Sequence, residues 1–258
     1  MRPVGGDAEV RVAPFRSVAR PGEAERLVRA RAERHGYLFC PGLIPRRTVA
    51  ALRDAALAVA RELSWLDPGA PPRSGRGAAG VALGAYDDPR WIEFLRVMLA
   101  HPAFVALRTE PRLLAMLQTI LGAPAAPEAG DLLRVVSADD RSHTTVAHQD
   151  GFYLPEATSS WTAWIPLGAC PRTLGPIAVR PRSHAQGLLR HHGPRDWQQA
   201  VDVSARAVWA AQDLNAGDAV LFSGLTVHRA LPNRAGRRLR LSATCRYRAA
   251  SAGERSCR

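Results

Sequence analysis

Lysine is absent from this 258-residue chain; all 35 of its basic residues are arginine. That absence excludes whole classes of chemistry. Pyridoxal phosphate enzymes, Schiff-base aldolases, P-loop nucleotidases and protein kinases each need a lysine ammonium as nucleophile or phosphate ligand. Cysteine is scarce as well, confined to Cys40, Cys170, Cys245 and Cys257. These four show neither the density of a disulfide scaffold nor a zinc-binding spacing, so reduced thiols are expected. No apolar run reaches the length of a signal peptide or a membrane span, and a cytoplasmic protein with no membrane partner is the expectation.

What the chain has in excess is positive charge, a net +12 with an isoelectric point near 11.0. Such a balance raises nucleic acid as a partner. The arginines are scattered along the whole chain, however, with no interleaving of aromatic and basic residues. Together with heavy Ala, Gly and Pro usage they read as the style of a GC-rich coding sequence. Steering of a small anionic substrate is therefore expected in preference to nucleic-acid binding. The 47% hydrophobic content supports a substantial core in one large domain or two small ones.

The texture changes near residue 130. Before it, 3.6-residue periodicity predicts helices over Glu23 to Arg34, from Pro45 through "RRTVAALRDAALAVARELSW", from Pro89 through "RWIEFLRVMLA", and from Pro111 to a Gly122 C-cap. The stretch "HGYLFCPGLIP" reads as a short strand between the first two. After residue 130, "DLLRVVS", "SSWTAWIPLG", "GPIAVRP", "DAVLFSG" and "LRLSATCRYR" alternate like strands between Gly, Pro and Asn punctuation. Helices followed by many strands predict an α+β chain in which helices brace a barrel or double sheet. Gly75, Gly77 and Gly80 match the dinucleotide pattern G-x-G-x-x-G, but no strand precedes them and no amphipathic helix follows. Residues 66–84 read instead as a mobile loop, either a surface loop or a lid.

Chemistry concentrates in "TTVAHQDGFYLPE". In a strand, residues i and i+2 emerge on one face, about 6 to 7 Å apart. His148 and Asp150 placed that way can share a metal ion or simply hydrogen-bond to one another. A second histidine, His228, ends the apolar run "AGDAVLFSGLTVH". Two histidines and one carboxylate form the ligand set of non-haem Fe(II) oxygenases, whereas a zinc hydrolase would also need a general base nearby.

With these pieces in place the sequence resembles the phytanoyl-CoA dioxygenase family of Fe(II)- and 2-oxoglutarate-dependent oxygenases. The matching stretches are "GYLFCPGLIP", "HQD" at 148–150, "LGPIAVRPRSH" at 174–184, "AGDAVLFSGLTVH" at 216–228 and "PNRAGRRLRLS" at 232–242, in the family's order. The resemblance implies one oxygenase domain over 1–258, with a helical part to about 129 and a double-stranded β-helix, or jelly-roll, over about 130–250. It implies His148, Asp150 and His228 as iron ligands, and Fe(II), 2-oxoglutarate and O2 as cofactors. The reaction it implies is hydroxylation of an unactivated C–H bond of a small organic metabolite, with succinate and CO2 as co-products. Desaturation, epimerisation or rearrangement would follow from the same cofactor chemistry. Because Asp150 fills the carboxylate position, no ligand position is left for a halide.

The remaining site residues follow from the same resemblance combined with strand alternation. An arginine beyond the distal histidine is expected to clasp the far carboxylate of 2-oxoglutarate, a task suited to a bidentate guanidinium. In "RRLRLSATCRYR", Arg238, Arg240, Ser242 and Thr244 share one face. Aligning Ser242 with the family's serine makes Arg238 the cosubstrate arginine, with Arg240 in reserve. Trp164 reads as pocket wall or core tryptophan, and Gln149 is grouped with the cofactor pocket. His143, Asp139 and Asp140 lie in the loop entering the iron strand and are candidates for touching substrate. His184, His191 and His192 read as surface residues. Two further readings are a nucleic-acid demethylase, suggested by Arg240 and Arg246 six residues apart, and a non-catalytic basic binding protein on the same scaffold.

Overall fold

Prolines set the helix starts. In the computed structural model, which describes residues 10–81, 83, 87–138, 140, 144–193 and 199–251, Pro45 precedes α2, and prolines open α3, α4 and α5. The helices are α1 (Glu25–His35), α2 (Arg46–Glu62), α3 (Pro89–Ala100), α4 (Pro102–Arg108), α5 (Pro111–Leu121) and the single turn α6 (Asp150–Tyr153). The first helical position needs no N–H, which is why proline is tolerated there. Gly122 closes α5 at φ 68°, as the sequence predicts. The sequence reading missed α4. The chain leaves helical geometry at His101 because the following proline forces it extended, and His101 then caps the new helix by accepting from Ala103 N–H at 3.1 Å.

The strands are β1 (Val12–Ala13), β2 (Tyr37–Cys40), β3 (Ala125–Pro127), β4 (Leu132–Val136), β5 (Trp161–Pro166), β6 (Ile177–Val179), β7 (His191–His192), β8 (Ala200–Val201), β9 (Trp209–Ala210), β10 (Ala219–Ser223), β11 (His228–Ala230) and β12 (Arg240–Ala249). The major sheet runs β2-β10-β5-β12-β3, with β4 also on β12, and the minor sheet runs β1-β9-β6-β11. A small β7-β8 ribbon stands apart. The strands facing each other across the two sheets form the jelly-roll. The N-terminal part is more than a brace, because β1 pairs with β9 and β2 with β10, extending both sheets.

Period-two alternation divides the major sheet between two cores. Leu38, Ala163, Ile165, Leu221, Leu241 and Ala243 turn outward onto the helices, meeting residues such as Leu52, Phe94 and Leu117. Tyr37, Phe39, Trp164, Val220 and Phe222 turn inward, toward Ile177, Val179 and Ala210 of the minor sheet. Strands buried on both faces lack a polar side, which is why these runs read as nearly continuous apolar sequence. Three thiols, Cys40, Cys170 and Cys245, are free and buried. Cys257 lies outside the described residues.

The segment expected to be a mobile loop is tied down instead. Gly77 N–H donates to Arg237 O at 2.6 Å and Leu239 N–H to Gly75 O at 2.8 Å, while the Asp67 carboxylate bridges Arg76 and Arg237 at 3.1 and 2.8 Å. Beneath it, Trp65, Trp91 and Phe94 form an aromatic cluster with centroids 5.2 to 5.9 Å apart. Phe94 is fully buried. Truncation to alanine removes both transfer free energy and packing, so Phe94→Ala should cost about 3 to 5 kcal/mol in urea unfolding. A loss well under ~1 kcal/mol would show that this cluster does not anchor helix to sheet.

Candidate active site

His148 and His228 face one another in a closed backbone pair, each N–H donating to the other's carbonyl at 2.9 Å. Their rings lie 4.2 Å apart. The expected strand does not continue through Asp150, which instead opens α6. The i, i+2 geometry survives because the intervening Gln149 is extended, at φ −118° and ψ 135°. Asp150 Oδ1 therefore stands 3.7 Å from Nε2 of each histidine, and the three prospective donor atoms lie within 4.8 Å of one another. Gly224 allows this crowding. It exchanges backbone bonds with Gly151 and Ser160, and a Cβ there would meet Ala157 O at 1.8 Å.

The imidazoles are held in one tautomer. Nδ1 of His148 lies 2.8 Å from Val146 O, and Nδ1 of His228 lies 3.0 Å from Thr226 O. A carbonyl can only accept, so each Nδ1 carries the proton and each Nε2 lone pair turns toward Asp150. Burial, followed by the nearby His228, lowers His148 to about 3, against the opposing attraction of Asp150. Burial likewise lowers His228. Both imidazoles are therefore neutral at physiological pH. Burial pushes the Asp150 carboxyl up, but the Arg246 guanidinium and the two imidazoles outweigh it and hold the group well below the usual carboxylate range.

The sequence reading names Arg246 only for the nucleic-acid demethylase alternative and passes over Thr162; both aim at Asp150. They are cross-strand partners on β12 and β5. Arg246 donates from its terminal nitrogen to Oδ1 at 2.9 Å and from Nε to Oδ2 at 3.3 Å, and Thr162 Oγ1 donates to Oδ2 at 2.7 Å. One more step of the alternation through Arg240, Ser242 and Thr244 reaches Arg246. The signal was present.

The other expected residues divide by burial. Trp164 is buried in the jelly-roll interior, opposite Thr244 across the β5-β12 ladder. Ser242 is fully buried, and among the described residues its hydroxyl has no hydrogen-bond partner. Arg240, on the same face, is 1% exposed and donates to Gly175 O. Arg238 is exposed and reaches Ala169 O at 3.3 Å. Arg238 lies outside β12, which begins at Arg240; it ends the preceding turn and forms an isolated antiparallel bridge with Arg76. The Gln149 side chain is taken up by backbone: its amide donates to Gly187 O and Leu225 O at 2.8 and 2.6 Å and accepts from Leu189 N–H at 2.8 Å, because a residue between His148 and Asp150 points the opposite way.

Among the histidines read as surface groups, His191 is buried. It stacks on Phe152 at 4.1 Å and accepts from Gln149 N–H at 3.0 Å. His192 is exposed beside Asp202, and half-buried His184 meets Glu33 O at 2.8 Å. Asp140 is half-buried, whereas Asp139 and His143 lie outside the described residues.

A jelly-roll carrying two neutral histidines and a carboxylate on one metal-sized site defines the class of non-haem iron oxygenases. The family model for phytanoyl-CoA dioxygenase matches residues 32–241, and the chain belongs to that family of 2-oxoglutarate-dependent non-haem iron oxygenases. It is 28% identical over 222 residues to 1-deoxypentalenic acid 11-beta-hydroxylase of Streptomyces arenae, covering 78% of this chain and 72% of that one. Among solved structures, the epimerase SnoN in complex with Fe3+, α-ketoglutarate and nogalamycin RO superimposes with a TM-score of 0.59 at 23% identity, over 88% of this chain and 84% of that one. The carbocyclase SnoK from nogalamycin biosynthesis gives 0.57 at 23%, over 89% and 84%. At these identities the structural likeness is one of fold.

Two stability measurements test the electrostatics. Arg246→Leu leaves the buried Asp150 carboxylate uncompensated, so the metal-free variant should lose about 3 to 5 kcal/mol, with part recovered when Asp150→Asn is added. No recovery in the double variant would show that Arg246 acts through packing. The second concerns pH. His148 binds its proton with a pKa of about 3 when folded and 6.5 ordinarily, so the unfolded chain holds more protons between those values and stability rises with pH there. The urea midpoint of the metal-free protein should fall on acidification below about pH 6.5, and less steeply in His148→Asn. A flat wild-type profile across that window would contradict the buried neutral state.

Proposed function

We propose that the protein hydroxylates an unactivated C–H bond of a small organic metabolite, consuming 2-oxoglutarate and O2 and releasing succinate and CO2. The observation that carries this reading is the convergence of His148 Nε2, Asp150 Oδ1 and His228 Nε2 within 4.8 Å, with both Nδ1 atoms committed to backbone carbonyls. Two imidazole lone pairs and a low-pKa carboxylate suit a divalent first-row metal, so His148, Asp150 and His228 would hold Fe(II). When bound, iron and 2-oxoglutarate supply the oxidising power that couples O2 reduction to decarboxylation and to oxidation of the substrate.

The chain's own residues set the conditions for that chemistry. Arg246 and Thr162 hold the Asp150 carboxylate in a fixed orientation and bear on its basicity. Arg240, rather than Arg238, is the residue we assign to the far carboxylate of 2-oxoglutarate. It is buried on the face that also carries the Ser242 hydroxyl, whose unused donor suits a carboxylate oxygen. Trp164 and Phe222 exclude water from the interior beside them. A small-molecule substrate, in preference to nucleic acid, agrees with the dispersed arginines and with the Streptomyces arenae relative, named as hydroxylase of an organic acid. The epimerase SnoN and the carbocyclase SnoK mark alternative outcomes open to the same scaffold.

The test is succinate release under Fe(II), O2 and 2-oxoglutarate across a panel of small organic acids, with hydroxylated product identified by mass. His228→Ala should abolish metal binding and turnover together. Arg240→Leu should raise the 2-oxoglutarate requirement by the equivalent of about 2 to 5 kcal/mol, as expected for loss of a buried charge-assisted pair, while Arg238→Leu changes it little. The reverse ranking would return the cosubstrate to Arg238.

A further inference from the structure

A cleft of about 690 Å³ lies on the seam where β1 and β9 meet the start of β2, and neither the metal triad nor Arg240 lines it. Four arginines do: Arg16, Arg180, Arg182 and Arg206. No carboxylate is among its lining residues, and among the described residues none of the four guanidiniums has an ion pair or a side-chain hydrogen bond. This contrasts with Arg31, Arg73, Arg90, Arg96 and Arg237, each of which sits on a carboxylate. Four like charges around one concavity repel each other, and an anion placed among them relieves that repulsion.

Arg182 adds an independent observation. It holds φ at 65°, a left-handed conformation that only one other non-glycine residue, Ser64, adopts among the described residues. An arginine kept in a conformation that favours glycine is strained, and its backbone N–H is locked on His35 O at 2.9 Å. The rest of the wall is apolar: Pro14, Val208, the Trp209 ring and Tyr37. The volume falls in the range of small-molecule sites and is too small for a protein domain. Tyr37 pairs across the ladder with Phe222, whose ring packs 4.4 Å from that of His228. The cleft therefore stands one aromatic layer behind the candidate metal centre.

We propose that this cleft is a second ligand site, separate from the oxidising centre, that binds an amphiphilic organic phosphate with its dianionic head among Arg16, Arg180, Arg182 and Arg206 and its apolar part against Trp209 and Tyr37. A phosphate is preferred to a single carboxylate because it brings two charges and three acceptor oxygens to several guanidinium forks. The inference does not depend on the metal centre, and its test reads binding alone.

Calorimetric titration of the full chain with naphthyl phosphate, inorganic phosphate and naphthol, in about 0.15 M salt to screen general attraction, separates the two halves of the site. Naphthyl phosphate should bind once per chain, with phosphate and naphthol each weaker by about tenfold or more, ~1.4 kcal/mol. Arg182→Gly combined with Arg206→Ala should lose a similar factor without lowering the unfolding temperature, since glycine relieves the backbone strain. The charge-matched control Arg47→Ala with Arg61→Ala, on exposed positions of α2, should leave affinity unchanged. Equal losses in both double variants would reduce the effect to net charge and overturn the proposal. So would naphthol binding as tightly as its phosphate, or the absence of saturable binding at that salt.

Discussion

A carboxylate buried at 2% exposure requires compensation, and most of the active-site architecture can be read as supplying it to Asp150. Leaving such a group ionised without partners costs several kcal/mol. Arg246 brings the opposing charge from β12, Thr162 a hydroxyl from β5, and His148 and His228 stand at equal 3.7 Å distances on the remaining side. These groups come from both sheets, so the site exists only when the sandwich is closed. The arrangement also explains why the histidines are neutral. Arg246 already balances the carboxylate, and a protonated imidazole would add a second buried charge.

The two faces of β12 divide the labour between stability and chemistry. Leu241, Ala243 and Cys245 turn toward the helices and join the larger core, while Arg240, Ser242, Thr244 and Arg246 turn into the jelly-roll. A one-residue slip of register would exchange the two sets, sending four polar side chains into the helical core. Long ladders with β4 and β5 on either side hold that register. The same constraint that stabilises the sheet therefore positions the guanidiniums along the interior.

Periodicity made much of this legible. The alternation in "RLSATCRYR" predicted the division of β12, the Pro-initiated helices α2, α3 and α5 start where the sequence places them, and the His148, Asp150 and His228 triad converges. Where the structure departs from the sequence pattern, the causes are local. The placing of Arg238 on the Ser242 face extends strand alternation two residues beyond the start of β12, to a residue that ends a turn and bridges Arg76. Gln149 was grouped with its neighbours in sequence although the same alternation points it away from them. His191 was hidden in an arginine-rich segment whose composition reads as surface, and its burial depends on Phe152 and Gln149, more than forty residues of local sequence pattern away in the second case.

An arginine-only complement of cations has a structural consequence beyond the loss of lysine chemistry. A lysine buried as deeply as Arg240 or Arg246 would tend to shed its proton, since desolvation readily lowers an ammonium pKa, whereas a guanidinium keeps its charge. The interior of this jelly-roll can therefore carry permanent positive charge on β12, and the planar fork of Arg246 can meet both oxygens of Asp150 at once. Guanidiniums also line the seam cleft, where four of them stand without an ion pair among the described residues. What distinguishes the two places is compensation: Arg246 has its carboxylate in Asp150, and among the described residues no carboxylate lines the cleft.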